Sequence, residues 1–156
     1  GQVGKMSVED IAIAITKIKG NPKKGPSLFA SQGCIACHAL KKSEVQKGPY
    51  LGQIGGIMNA EKIALSIIRP NAEISQGFKT VSITTKKGGA HVGFVTKRLS
   101  DQIEIRDIAG QITRLNPADV ASETLLPISM MPAGLANGMS IEDFASLVHF
   151  LAAQKQ

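Results

Sequence analysis

The chain has no tryptophan and one tyrosine, Tyr50, and aromatic residues make up only 4% of its 156 positions. Its core must therefore be built mainly from aliphatic side chains. Cysteine is almost missing as well: Cys34 and Cys37 are the only two, so at most one disulfide can form. There is no run of eighteen apolar residues, which excludes a membrane-spanning helix within this sequence, and no stretch laid out as a secretory signal. Acid is the minority charge, with 12 Asp and Glu against 18 Lys and Arg and a net charge of +6. A basic surface favours acidic partners. The basic residues come as short pairs (Lys23-Lys24, Lys41-Lys42, Lys86-Lys87, Lys97-Arg98) rather than one block, so nucleic acid is not the expected partner. The hydrophobic share of 43% is ordinary for a packed globular protein. The length allows one domain, or one domain with a sizeable insertion.

What is present is concentrated in five residues, Cys34-Ile35-Ala36-Cys37-His38. Two thiols at this spacing followed directly by histidine are the pattern that attaches a c-type haem. The thiols fall on one side of a single turn, close enough to bond two vinyl groups on one porphyrin edge. The next side chain then lies under the ring, where its imidazole can bind iron. Three other readings compete. A disulfide across so short a loop is strained and leaves His38 without a role. A thioredoxin-like thiol pair needs a βαβ setting, which the flanks lack. A zinc site would need His91 or His149 to complete it, and nothing marks those two as a pair. A haem would also supply the large flat apolar body that the chain's few aromatics do not. Thioether attachment implies an exported, periplasmic or similarly placed protein, with the export signal outside this sequence.

Helical periodicity frames the motif. Residues 7–19 read as a helix capped by Ser7, with Asp10 three residues on, an Ile11, Ile15, Ile18 stripe, and a stop at Gly20-Asn21-Pro22. Residues 26–32 read as a short helix anchored by Leu28 and Phe29, after which Gly33 turns the chain into the motif. Asn59 caps a helix over 60–69, with Ile63, Ala64, Ile67 and Ile68 on one face and Pro70 at its end. From 77 the period drops to two. Strands are expected over 78–85, 91–98, 102–108 and 111–115, separated by turns at Lys87-Gly88-Gly89, Ser100-Asp101 and Ala109-Gly110, with a helical turn over 117–120. Ser140 caps a last amphipathic helix through Ile141, Phe144, Ala145, Val148 and Leu151, with His149 on its flank. The expected fold is a mainly α protein with an inserted antiparallel β-meander, α+β overall. Its expected parts are an N-terminal helix and linker over 1–25 and a monohaem domain over 26–156, with the insertion at about 77–121.

A haem held by one protein ligand binds gases or peroxide, and one held by two moves electrons. The candidates for the second ligand are Met6, Met58, Met130, Met131 and Met139, with His91 and His149. Met130-Met131-Pro132 stands out, in a loop punctuated by Pro127, Pro132, Gly134 and Gly138. A neutral thioether is a weak ligand and needs a stiff loop, and proline restricts both itself and the residue before it. Met131 is therefore the expected donor, with Met130 as the alternative. The ring nitrogen of His38 that does not bind iron also needs an acceptor. A backbone carbonyl near Gly48-Pro49 is the candidate, with a simple turn as the other reading.

Taken together, the helix ending in Leu28-Phe29, the Cys-Ile-Ala-Cys-His motif, Gly48-Pro49-Tyr50-Leu51, the late Met-Pro loop and the final helix resemble class I cytochromes c. The resemblance covers roughly 26–76 and 122–156. The intervening β segment and the phrases IIRPNAEISQGF and SMMPAGL further resemble the haem-binding cytochrome domains of Planctomycetes and Verrucomicrobia. By that likeness Cys34 and Cys37 attach one haem c, His38 is the proximal and Met131 the distal iron ligand, and Pro49 supplies the acceptor for the proximal imidazole. The likeness implies electron transfer rather than catalysis, by a free carrier or by a relay domain of a larger redox protein. It also implies a redox partner, expected to offer an acidic docking surface to loops near Lys41, Lys42 and Lys47. The alternative is a haem enzyme or a gas or redox sensor with an open distal position, for which His91 and Arg98 are the nearest thing to a distal pair. The β insertion reads as a lid over the haem or as a docking module.

Overall fold

The computed structural model describes residues 1–155, and the chain divides into two compact units, Gly1–Ala72 with Pro132–Gln156, and Glu73–Met131.

The first unit is helical. Its elements are α1 (Val8–Lys17), α2 (Gly25–Ser31), α3 (Ile54–Ile57), α4 (Ala60–Ile68) and α5 (Ile141–Ala152), with single 3-10 turns at Val3–Lys5, Pro22–Lys24 and Cys34–Ala36. Three of the helices begin at a side-chain cap. Ser7 Oγ accepts from the Asp10 amide at 3.1 Å, Asn59 Oδ1 from the Lys62 amide at 2.8 Å, and Ser140 Oγ from the Asp143 amide at 3.1 Å. Each cap satisfies an amide that has no partner inside the helix, worth about 1 kcal/mol. Helix α5 is the centre of the core and buries Ile141, Phe144, Ala145, Leu147, Val148 and Leu151. Against it lie Ile11 and Ile15 of α1, Phe29 of α2, and Ile63 and Ala64 of α4. Helix α2 approaches α5 so closely at Gly25 that a Cβ there would sit 2.1 Å from Phe150 Cγ. His149 leans the other way. Its Nε2 lies 3.0 Å from the Ile15 carbonyl and 3.1 Å from that of Ile18, tying α5 to the end of α1.

The second unit is a five-stranded antiparallel sheet in the order β4-β3-β2-β1-β5. The strands are β1 (Val81–Thr85), β2 (Ala90–Arg98), β3 (Ile103–Arg106), β4 (Ile112–Leu115) and β5 (Val120–Leu125), with a 3-10 turn at Pro117–Asp119 before the last. Strand β2 serves two neighbours with its two halves: residues 90–93 pair with β1, and 94–98 pair with β3 across a register shift. A Cβ on Gly93 would lie 2.0 Å from the Arg106 carbonyl, so the change of partner occurs where only glycine fits. The sheet curls as a result. In the ladder, His91 of β2 and Glu123 of β5 both flank Ile83. Arg98 lies seven residues beyond His91, roughly 23 Å along a flat strand, yet its Nη1 reaches Glu123 Oε2 at 3.1 Å. The curl wraps Val81, Ile83, Ile103 and Ile105 into a small core, closed by Val95, Leu115 and Val120.

The structure departs from the sequence-based expectation most at three elements. Strand β1 starts at Val81 rather than 78, and Phe78 instead packs tilted against Phe94, with ring centroids 5.1 Å apart. The short α3 was not expected. Strand β5 was not expected either, because it carries no apolar face and only Val120 is even partly buried. The sheet unit spans 73–131, and residues 1–25 lie in the helical unit.

Candidate functional site

The motif sits at the end of α2. Gly33, at φ +81°, takes the left-handed conformation that ends the helix. Cys34–Ala36 then form one 3-10 turn, held by the Cys37 amide on the Cys34 carbonyl at 3.2 Å and the His38 amide on the same carbonyl at 2.9 Å. In this geometry side chains three residues apart eclipse one another, so Cys34 and Cys37 are presented together. Both are free thiols and half-buried. Burial pushes the Cys34 thiol above its usual range, opposed by a backbone hydrogen bond and reinforced by Cys37.

His38 is fixed by the loop that follows. The Leu51 amide donates to the Ala39 carbonyl at 3.0 Å and draws the loop closed, with Ala39 buried. Gly48 lies against the motif, where a Cβ would stand 2.8 Å from the Cys37 carbonyl. This close approach brings the Pro49 carbonyl to 2.7 Å from His38 Nδ1. A carbonyl only accepts, so Nδ1 carries the proton and Nε2 keeps its lone pair. Burial holds the His38 pKa below that of an ordinary histidine, against an opposing pull from the Pro49 bond. The ring is thus a neutral, oriented imidazole with one nitrogen committed and the other available to a metal.

These features fit a covalently attached haem. Two free thiols share one side of a turn, and among the described residues the second ring nitrogen of the adjacent histidine has no hydrogen-bond partner. Leu28, Leu40, Leu51, Ile54 and Ile67, like Cys34, are only partly buried against the helical core.

The other candidates fall elsewhere. Met139 is buried in the helical core, Met6 and Met58 pack against it, and Ser66 Oγ lies 3.9 Å from the Met58 sulfur. Met130 and Met131 are half-buried at the end of the second unit, and the Met131 amide donates to Ser129 Oγ at 3.0 Å. His149 commits Nε2 to the carbonyls of Ile15 and Ile18 at the end of α1. Among the described residues no three His, Cys, Asp or Glu side chains are grouped to hold a metal. His91 lies on β2, and Arg98 is engaged by Glu123, whose carboxylate raises the guanidinium pKa. Sequence reasoning pointed to Gly48-Pro49 for the acceptor carbonyl but had no signal for the close approach of Gly48 to the Cys37 carbonyl.

A cytochrome c family model matches residues 22–112, more than half of the chain. No curated protein matches it. Among the described residues no helix is long and apolar enough to cross a membrane. The matched segment takes in α2, the cysteine turn, His38 and the loop through Pro49. The chain belongs to the cytochrome c family, which carries haem c covalently and uses it for electron transfer.

Proposed function

We propose that this protein is a monohaem electron carrier, or the relay domain of a larger redox protein, with Cys34 and Cys37 as attachment points and His38 and Met131 as axial ligands. The bound haem supplies a one-electron couple. The observation that carries the reading is the 2.7 Å bond between His38 Nδ1 and the Pro49 carbonyl, which fixes the tautomer that a proximal ligand requires. Met131 is favoured over the other methionines because Met6, Met58 and Met139 pack in or against the helical core, whereas Met130 and Met131 belong to neither core among the described residues. Met130 is the close rival, since Pro132 restrains the backbone of Met131 more directly. A thioether raises the reduction potential relative to two nitrogen ligands, so the potential is positive. The domain is of the Planctomycetes and Verrucomicrobia haem-binding type and works in the periplasm or another exported setting. Lys41, Lys42 and Lys47, all exposed, steer an acidic redox partner into a small, short-lived contact.

Spectroscopy of the matured protein tests this. Intact mass shows one added haem, and Cys34→Ser with Cys37→Ser abolishes covalent attachment. The ferric protein shows the far-red band of sulfur-to-iron charge transfer. Met131→Ala removes that band and Met130→Ala leaves it. Rapid carbon monoxide binding by the reduced parent, with no far-red band in its ferric form, would instead establish an open distal position and a sensor or enzyme.

A further inference from the structure

Residues 1–6 lie outside the segment that the family model matches, yet they are built into the helical unit. They run beside the loop that enters α5. The Val3 amide donates to the Met139 carbonyl at 2.9 Å, the Gly4 amide to the Asn137 carbonyl at 3.0 Å, and Gln2 Nε2 to the Gly138 carbonyl at 3.5 Å. Three successive loop carbonyls are thus held by three successive residues of the strap. In return, the Ile141 amide donates to the Gly1 carbonyl at 2.9 Å. Val3 is 2% exposed and shares the core with Met139. At Gly4 the two backbones come so close that a Cβ would lie 2.9 Å from both Cβ and the carbonyl oxygen of Asn137. The far end of the strap is anchored too, because Ser7 caps α1 and Ile11 and Ile15 fix α1 in the core.

The clasped loop has few bonds of its own. Between Pro132 and Met139 it holds the Asn137 amide on the Gly134 carbonyl at 3.1 Å and the Met139 amide on the Ala136 carbonyl at 3.0 Å. Pro132, Ala133, Gly134, Asn137 and Gly138 are exposed. The strap therefore supplies as much backbone hydrogen bonding to this loop as the loop supplies to itself. Pro132 follows Met131 directly.

We propose that the N-terminal strap, through Val3 and Gly4, is a positioning element that orders the 132–140 loop and so keeps the Met131 thioether available to the haem iron. The inference rests on the reading of Met131 as distal ligand. A neutral thioether binds weakly, and its effective affinity scales with the fraction of loop conformers that hold it in place. Loosening the strap lowers that fraction and leaves the proximal side untouched.

The test uses the full-length ferric holoprotein, with imidazole as the competing ligand and the far-red band as the readout. Gly4→Ala and Gly4→Val place one and then three methyl-sized groups against Asn137. Ile63→Val, buried in α4 and away from the strap and its anchor, serves as a control for general loss of stability. The expected result is graded: imidazole displaces the band at lower concentration in Gly4→Ala and at about tenfold lower concentration in Gly4→Val, a change of one decade in the exchange equilibrium. Ile63→Val displaces as the parent does even though its Tm falls. The strap inference is overturned if both Gly4 variants titrate like the parent, or if Ile63→Val weakens the band as much per degree of Tm lost. A parent without the band overturns the ligand assignment itself, and the strap's role with it. Gly4→Ala carries the comparison if Gly4→Val does not mature.

Discussion

Gly48 shows how little side chain a haem loop needs and how much that absence does. A methyl group there would stand 2.8 Å from the Cys37 carbonyl, and the chain would have to move where it now brings Pro49 to His38. Gly48→Ala is expected to cost about 1–3 kcal/mol by overpacking, read as a lower Tm of the holoprotein. It should also lengthen the bond to His38 Nδ1. On the proposed ligation that bond raises the basicity of the iron-binding nitrogen, so weakening it makes the imidazole a poorer donor and moves the reduction potential upward. Potentiometric titration checks the direction, and a fall in Tm with an unmoved potential would leave the Pro49 bond without an electronic role. The depressed His38 pKa works toward the same end. Burial disfavours the charged ring, so the neutral form that can bind iron persists to lower pH than it would in an exposed histidine.

At the scale of elements, the sheet separates backbone fit from charge. Gly93 permits the bend in β2, and a Cβ there would fall 2.0 Å from the Arg106 carbonyl. Nothing flexible stands in the way to give, so Gly93→Ala should break the pairing of β2 with β3 and lower the unfolding midpoint of the sheet. The Arg98–Glu123 pair joins the same curled ends but is solvent-accessible, with side chains 53% and 30% exposed. Exposed pairs contribute roughly 0–1 kcal/mol, so Glu123→Gln should change stability far less than Gly93→Ala does. Circular dichroism melts of both variants decide it, and the reverse ranking would mean that the ion pair, rather than the bend, closes the sheet. The helices were legible in the sequence because their signals are local: Ser7, Asn59 and Ser140 cap where expected, and stripes such as Ile11 and Ile15 lie inward. The cysteine turn was legible because its chemistry fixes its spacing. Strand β5 was not, since its pairing with β1 is a backbone matter and residues 121–125 are all exposed. The N-terminal strap was hidden for the same reason, as two of its three bonds to the loop come from main-chain amides that leave no side-chain pattern.

Across the whole molecule, stability is unevenly shared. The helical unit buries fourteen apolar residues in one cluster, whereas the cluster of the sheet unit holds four, with three partly buried neighbours, and Phe94 is buried outside it. Hydrophobic stabilisation grows with the apolar area removed from water, so the sheet has the smaller reserve. It is also one continuous segment, 73–131, and can open without unthreading the helices, which are contributed by both chain ends. The buried Thr80 hydroxyl adds to the imbalance. It is fully shielded in the sheet unit and has no hydrogen-bond partner among the described residues, and such a group costs about 1–3 kcal/mol. Native-state hydrogen exchange on the holoprotein should therefore find two classes of amide. Those of β1 and β3, such as Ile83 and Ile105, exchange through a subglobal opening that appears at low denaturant. Those of α5, such as Phe144 and Val148, exchange only with global unfolding. Thr80→Val, which removes the unpartnered hydroxyl at nearly constant shape, should raise the protection of the first class and leave the second unchanged. A single opening free energy for all these amides would show instead that the sheet and the helices unfold as one.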